Sequence, residues 1–162
     1  MDWYLVFITL ALCATYFILL ALFPIFFAQK VTLPRRKPWI SLALIIAISV
    51  LSYVASFLIP NLEIANRILH IFGGGFTAFF MCFLAVRDSG VRISKFQFFV
   101  FSFLIVLALG TANELFEFFL QEYFGYISAA TVTDTWLDLA SNVVGIILAS
   151  ICFVPFHKEN AR

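Results

Sequence analysis

The chain has 162 residues, of which 64% are hydrophobic and 12% charged, and its mean hydropathy is +1.06. A soluble domain carries about 25% charged and about 45–50% apolar residues, so this composition excludes an ordinary water-soluble domain. The net charge of +1 offers no concentrated basic surface for nucleic acid, and the length leaves room for one membrane domain over residues 1–162 and no separate soluble one.

Five apolar stretches follow in chain order, each near or above the roughly 20 residues that a helix needs to cross the hydrocarbon core. The first, Trp3–Ala28, lacks a basic flank (Asp2 is its only charge) and is longer than the core of a signal peptide, so it is expected to be a span. Pro24 should kink it near its end by removing one backbone hydrogen bond. The turn-forming run Leu33-Pro34-Arg35-Arg36-Lys37-Pro38 leads into the second, Trp39–Ile59, which Pro60-Asn61 ends. The third, Ile68–Val86, stops at Arg87-Asp88-Ser89-Gly90, and the fourth is Phe96–Leu120. Gln121–Thr133, with Tyr123, Phe124 and Tyr126, is expected to lie on the outer interface as a half-helix, before the fifth stretch, Thr135–Phe156. The expected fold is an all-α integral membrane protein, a bundle of about five transmembrane helices. Cys13, Cys82 and Cys152 sit far apart inside apolar runs and read as small hydrophobes.

Orientation follows from the basic residues. Lys30, Arg35, Arg36, Lys37, Arg87, Arg92, Lys95, Lys158 and Arg162 fall on one side, and only Arg67 falls on the other. By the positive-inside rule that side is cytoplasmic, which puts the N-terminus outside and the C-terminus inside. Five spans demand the same arrangement. Trp3, Tyr4, Tyr123, Tyr126 and Trp136 then sit at outer helix ends and Trp39 at an inner one, where amphipathic rings prefer to be.

Polar residues gather on spans three to five at the outer level. Asn66, Arg67 and His70 open span three, Asn113, Glu114 and Glu117 lie in span four, and Asp134, Asp138 and Asn142 descend from the outer end of span five. Positions three or four apart share a helix face. Glu114 and Glu117 therefore point together, Asp134, Asp138 and Asn142 form a stripe continued by Gly145, and His70, Gly74 and Thr77 form another. An ionised side chain in a bilayer costs at least about 2.5–3.5 kcal/mol. Four carboxylates facing one arginine and one histidine must bind a cation, share protons or line a wet cavity. More ordinary roles stand beside these. Asp134 suits a helix cap, Glu114 and Glu117 can pair with Arg67 and His70, and Gly73–Gly75 suits a helix contact better than a phosphate loop.

Three functions fit these residues. In an enzyme acting on a lipid or lipid-linked envelope substrate, Glu114, Glu117, Asp134 and Asp138 would hold a divalent cation such as Mg²⁺, Mn²⁺ or Ca²⁺. His70, Glu117 and Asp138 would be its catalytic groups, with His70 as general acid or base. Asn66, Arg67, Asn113 and Asn142 would complete the polar site. In a proton- or cation-coupled carrier the same acids would relay charge, although the inner halves of spans three to five hold few polar residues. In a non-catalytic membrane partner or scaffold the stripes would only join helices. The expected partners are membrane lipids, a lipid-linked substrate or a second copy of the chain.

His70 followed by Gly74-Gly75-Phe76, then Asn113-Glu114-Leu115-Phe116-Glu117, then Asp134-Thr135-Trp136-Leu137-Asp138 with Asn142 and Gly145, resembles the YjdF-like family of small bacterial inner-membrane proteins. The likeness covers about Asn66–Ala149. More loosely the pattern is similar to the VanZ-like family. Two positions depart: Asn66 and Arg67 stand where YjdF-like sequences place an acid before the histidine, and Ala129–Thr133 lacks the arginine usual in VanZ-like sequences. The resemblance implies a multi-pass protein of the bacterial cytoplasmic (inner) membrane with an envelope role, marks the same residues, and names no reaction.

The orientation can be checked directly. In a variant without Cys13, Cys82 and Cys152, Pro60→Cys should react with a membrane-impermeant maleimide on intact cells, and Arg36→Cys only after permeabilisation. The opposite pattern would invert the topology.

Overall fold

A computed structural model describes residues 3–29, 38–125 and 131–157 of the chain. The basic residues Lys30, Arg35, Arg36, Lys37, Lys158 and Arg162, together with Tyr126, lie outside the described residues. Five helices are long and apolar enough to cross a membrane: α1 (Trp3–Phe26), α2 (Pro38–Phe57), α3 (Leu62–Ser89), α4 (Lys95–Phe124) and α5 (Val132–Phe153). No strand occurs among the described residues.

Local chemistry sets where these helices stop, and several ends differ from expectation. Pro24 lies two residues before the end of α1, and the chain leaves the helix through Ala28 at φ 50°. Asn61 caps α3 by accepting a bond from the Ile64 N–H at 3.0 Å, so α3 begins earlier than expected and Asn66 and Arg67 lie inside it. Ser94 and Gln97 form a reciprocal capping box that starts α4. Left-handed glycines, Gly90 and Gly125, end α3 and α4. Residues 121–124 continue α4 by a turn, and residues 126–130 of the stretch expected to form an interfacial half-helix lie outside the described residues. Asp134 is not the cap of α5: Thr131 is, accepting from the Asp134 N–H at 3.2 Å.

α3 is the central element, and every other helix packs on it. Half of its most apolar window is buried, against 17% for α1. It is not uniform: a π-helical turn, His70–Phe76, separates two α-helical segments. The Thr77 hydroxyl donates to the Phe72 carbonyl at 2.6 Å, a second donor beside the Thr77 backbone N–H within the widened turn. Gly75 of this turn lets α5 approach backbone to backbone, and Gly74 makes room for the Asn142 side chain, whereas Gly73 faces Leu69 and Ser52. A Cβ on Gly75 would collide with the Asn142 carbonyl oxygen, and one on Gly145 with the Ile71 carbonyl oxygen. Among lipid tails helices gain little from expelling water, so such close contact is a main source of association.

The inner end is closed by groups that sequence patterning assigned to a turn. Asp88 is fully buried and accepts from the Tyr16 hydroxyl of α1 at 2.8 Å and from the Ser41 hydroxyl of α2. Its other oxygen accepts from Arg87 Nε at 2.9 Å, and Arg87 also donates to Ser41 Oγ at 3.0 Å. One carboxylate thus joins three helices with both oxygens used. Nearby, Gln29 exchanges two bonds with the Arg92 backbone, and the His157 ring stacks on Phe98 at 4.9 Å while Nε2 meets the Ile93 carbonyl at 2.9 Å.

The glycine contact makes a discriminating prediction. Gly75→Ala and Gly145→Ala should each lower stability by about 1–3 kcal/mol or more, because backbone stands in the way. Gly73→Ala should be milder, since its Cβ meets only the flexible Leu69 Cδ1 at 3.2 Å. Thermal unfolding in mild detergent measures both, and equal effects at all three positions would refute the tight contact.

Candidate functional site

The outer polar site is built on the glycine contact. Asn142 of α5 lies in a slot between Gly74 of α3 and Gly110 of α4, whose added Cβ would come within 3.0 Å of Asn142 Nδ2. Asn142 is 4% exposed and its Oδ1 has no hydrogen-bond partner among the described residues. One helical turn outward on the same face stands Asp138, 2% exposed, and one turn further Asp134. The contact that seats Asn142 therefore aims both aspartates at α3.

Arg67 meets them. Its guanidinium pairs with the carboxylates of both Asp134 and Asp138 and donates to the Asp134 carbonyl at 3.2 Å. Asn66 Nδ2 donates to Asp138 Oδ1 at 3.0 Å, and His70 Nε2 lies 3.3 Å from the same oxygen. Among the described residues all these contacts fall on Oδ1, so Oδ2 is the oxygen left to a ligand. Because Arg67 is taken by the two aspartates, it does not pair with Glu114 or Glu117, as the simplest sequence interpretation allowed.

α4 brings the other two acids. Glu114 and Glu117 are each 6% exposed. Glu117 accepts from Asn113 Nδ2 at 2.8 Å, one turn away on the same helix. Glu114 differs: both of its carboxylate oxygens are buried without a hydrogen-bond partner among the described residues. Donor atoms of His70, Glu114 and Asp138 all lie within 4.8 Å of one another.

The predicted residues thus separate into groups. Of the four acids expected to hold a cation, Glu114 and Asp138 converge, while Asp134 is held by Arg67 and Glu117 stands with Asn113. His70, expected as the acid or base, joins the cation-type cluster. Asn66 and Arg67 hold Asp138 in place, and Asn142 lies one turn deeper. Asp88, Tyr16 and Ser41 escaped notice in the sequence; the only available signal was an acid within one turn of a predicted span end, which turn chemistry explains equally well.

A cavity of about 530 Å³ adjoins the cluster, within the roughly 300–1,000 Å³ of small-molecule sites. Residues of α1 and α2, among them Leu12 and Tyr53, form one wall, and α3 and α4 form the other. Asn66, His70, Asn113, Glu117 and Asn142 give it a polar side, whereas Glu114 and Asp138 are not in its lining. His70 is the shared member, touching the cavity and the buried acids behind it.

Removing the arginine tests this arrangement. Arg67→Gln leaves the buried Asp138 and the partly exposed Asp134 carboxylates without their cation and should cost about 3–5 kcal/mol of stability. Adding Asp138→Asn and Asp134→Asn should restore much of that loss in the same thermal assay. No recovery would mean that Arg67 acts through packing alone.

No curated protein and no solved structure matches the chain. Residues 3–159 match the family described as "Predicted membrane protein (DUF2238)", with which the YjdF-like resemblance is consistent, while the VanZ-like one is not supported. With nearly its whole length covered, the chain belongs to the DUF2238 family of membrane proteins.

Proposed function

We propose that the outer site holds a divalent cation and acts on the phosphorylated head of a lipid or lipid-linked substrate in the bacterial inner membrane. The observation that carries this is the unpartnered Glu114 carboxylate, buried beside His70 and Asp138 with donor atoms of all three within 4.8 Å. A buried carboxylate without a hydrogen bond or counter-charge is costly, and a cation relieves that cost. One imidazole nitrogen with two carboxylates suits Mn²⁺ better than Mg²⁺ or Ca²⁺, which prefer oxygen throughout.

The other residues then have distinct tasks. Asn66 and Arg67 fix the Asp138 carboxylate through Oδ1, the supporting role that orients a metal ligand. Glu117, on the cavity wall and steadied by Asn113, is placed to accept a proton from an attacking water. Asn142 and Asn113 offer hydrogen bonds to a polar head in the cavity. The bound ion would polarise a phosphoryl oxygen.

A carrier remains the second function, favoured by one observation: Asp88 gives the inner half a buried carboxylate that its sequence did not advertise. Its oxygens are already engaged by Tyr16, Ser41 and Arg87, so it resembles a fastening more than a relay.

Mn²⁺ titration of the purified protein, followed by electron paramagnetic resonance, tests the proposal. Wild type should bind Mn²⁺ saturably, with Glu114→Gln and Asp138→Asn each weakening it at least about tenfold. Saturable binding that both variants leave unchanged would overturn the assignment, as would its absence in wild type.

A further inference from the structure

The cavity has a direction that matches one leaflet of a bilayer. Its lining on α1 runs from Leu5 to Thr15 and on α4 from Val106 to Glu117, each about 15 Å of helix rise. That is half of the roughly 30 Å hydrocarbon core. Glu117, with Asn66 and Asn113, stands toward the outer end, while Leu12, Ala78 and Val106 line the deeper part together with the uncharged polar residues Thr15, Ser49 and Asn142. An amphipathic ligand with its charged head outward fits this arrangement.

The cavity also has a side entrance. α1 packs against α2 and the inner segment of α3, and no Cα of α1 lies within 8 Å of one in α4. Two aromatic pairs bridge the gap at its ends: Phe7 stacks on Phe116 at 4.9 Å near the outer end, and Phe27 meets Phe101 at 4.8 Å near the inner end. Between these pairs the cavity is lined by the small Ala11 and Thr15 on α1 and Ala112 on α4, beside the larger Ile8 and Leu12 on α1 and Val106 and Leu109 on α4. The result is a slit between two lipid-facing helices, leading from the bilayer to His70.

We propose that one acyl chain of an outer-leaflet lipid enters between α1 and α4 and lies in this cavity, its head held beside Asn113 and Glu117. This deepens the proposed function and rests on its assignment of a lipid substrate. The chain enters sideways without leaving the hydrocarbon, and the Phe7–Phe116 pair closes over it at the level of the head. The cavity serves as the specificity element for the chain, and the acids behind His70 serve the head.

The test uses the full chain in phosphatidylglycerol vesicles containing a trace of the same lipid with a diazirine midway along one acyl chain. After irradiation, labelled residues are mapped by mass spectrometry. Labelling of Leu12, Val106 and Leu109, which line the cavity, is expected alongside the lipid-facing Ile18 and Leu104. Ala11→Trp or Thr15→Phe should lower the cavity labels at least about fivefold by filling the same volume, and leave Leu104 unchanged. Wild-type labels confined to outward positions such as Ile18 and Leu104 would overturn the proposal whether or not the variants fold, and so would α1–α4 crosslinks to a second copy of the chain. Asp138→Asn separates the two ideas: it removes a cation ligand but leaves the cavity intact, so the chain labels should persist even if cation binding fails.

Discussion

The close approach of α3 and α5 governs everything at the outer end of this molecule. Gly74 and Gly75 meet Asn142, and Gly145 meets Ile71, at distances that leave no room for a side chain. Within a bilayer, association depends on such contact because burying apolar groups brings little gain over lipid. The π-helical turn His70–Phe76 is part of the same device, since it carries Gly74 and Gly75 into the contact. Once α5 is seated there, its period carries Asp138 and Asp134 onto the face that meets Arg67 and His70. The polar site is a consequence of a helix contact rather than an independent feature.

Charge is distributed unevenly across that site. Arg67 serves two aspartates at once, and Asn66 adds a neutral donor to one of them. Glu114 receives none of this, although it lies beside His70 and Asp138. The inner end shows the contrasting solution, where Asp88 is equally buried but fully bonded by a phenol, an alcohol and a guanidinium. A satisfied buried carboxylate fastens helices, whereas an unsatisfied one beside other donors invites a ligand. The two ends therefore divide stability and chemistry between them.

The same topology explains where the cavity lies. α1 has its buried side chains, Tyr16, Leu19 and Phe23, concentrated toward its inner half. No Cα of α1 lies within 8 Å of one in α4, and Phe7 of its outer half stacks on Phe116 across the gap. The space beneath those rings is bordered by His70 and Asn142, so the gap and the buried acids meet at one imidazole.

Much of this was legible beforehand. Five spans, their order and the outer clustering of Asn66, Arg67, His70, Glu114, Glu117, Asp134, Asp138 and Asn142 follow from hydropathy, helical period and turn residues, which are local properties. The ends of helices were less legible: Asn61 starts α3 more than one turn, and Thr131 starts α5 about one turn, before the apolar stretches expected from hydropathy, because a polar cap can precede the apolar run. Which acids meet which partners was not legible at all. Arg67 selecting Asp134 and Asp138, Glu114 left bare, Glu117 turned to Asn113 and Asp88 drawn into the core all depend on the rotation and depth of one helix against another. Hydropathy and helical period are local, and they suffice for a five-helix membrane protein with its polar residues gathered at one end. The pairing, the cavity and the α1–α4 gap come from the packed bundle, because helix rotation is set by contacts between residues far apart in the chain, here above all by glycines whose effect is the absence of a side chain.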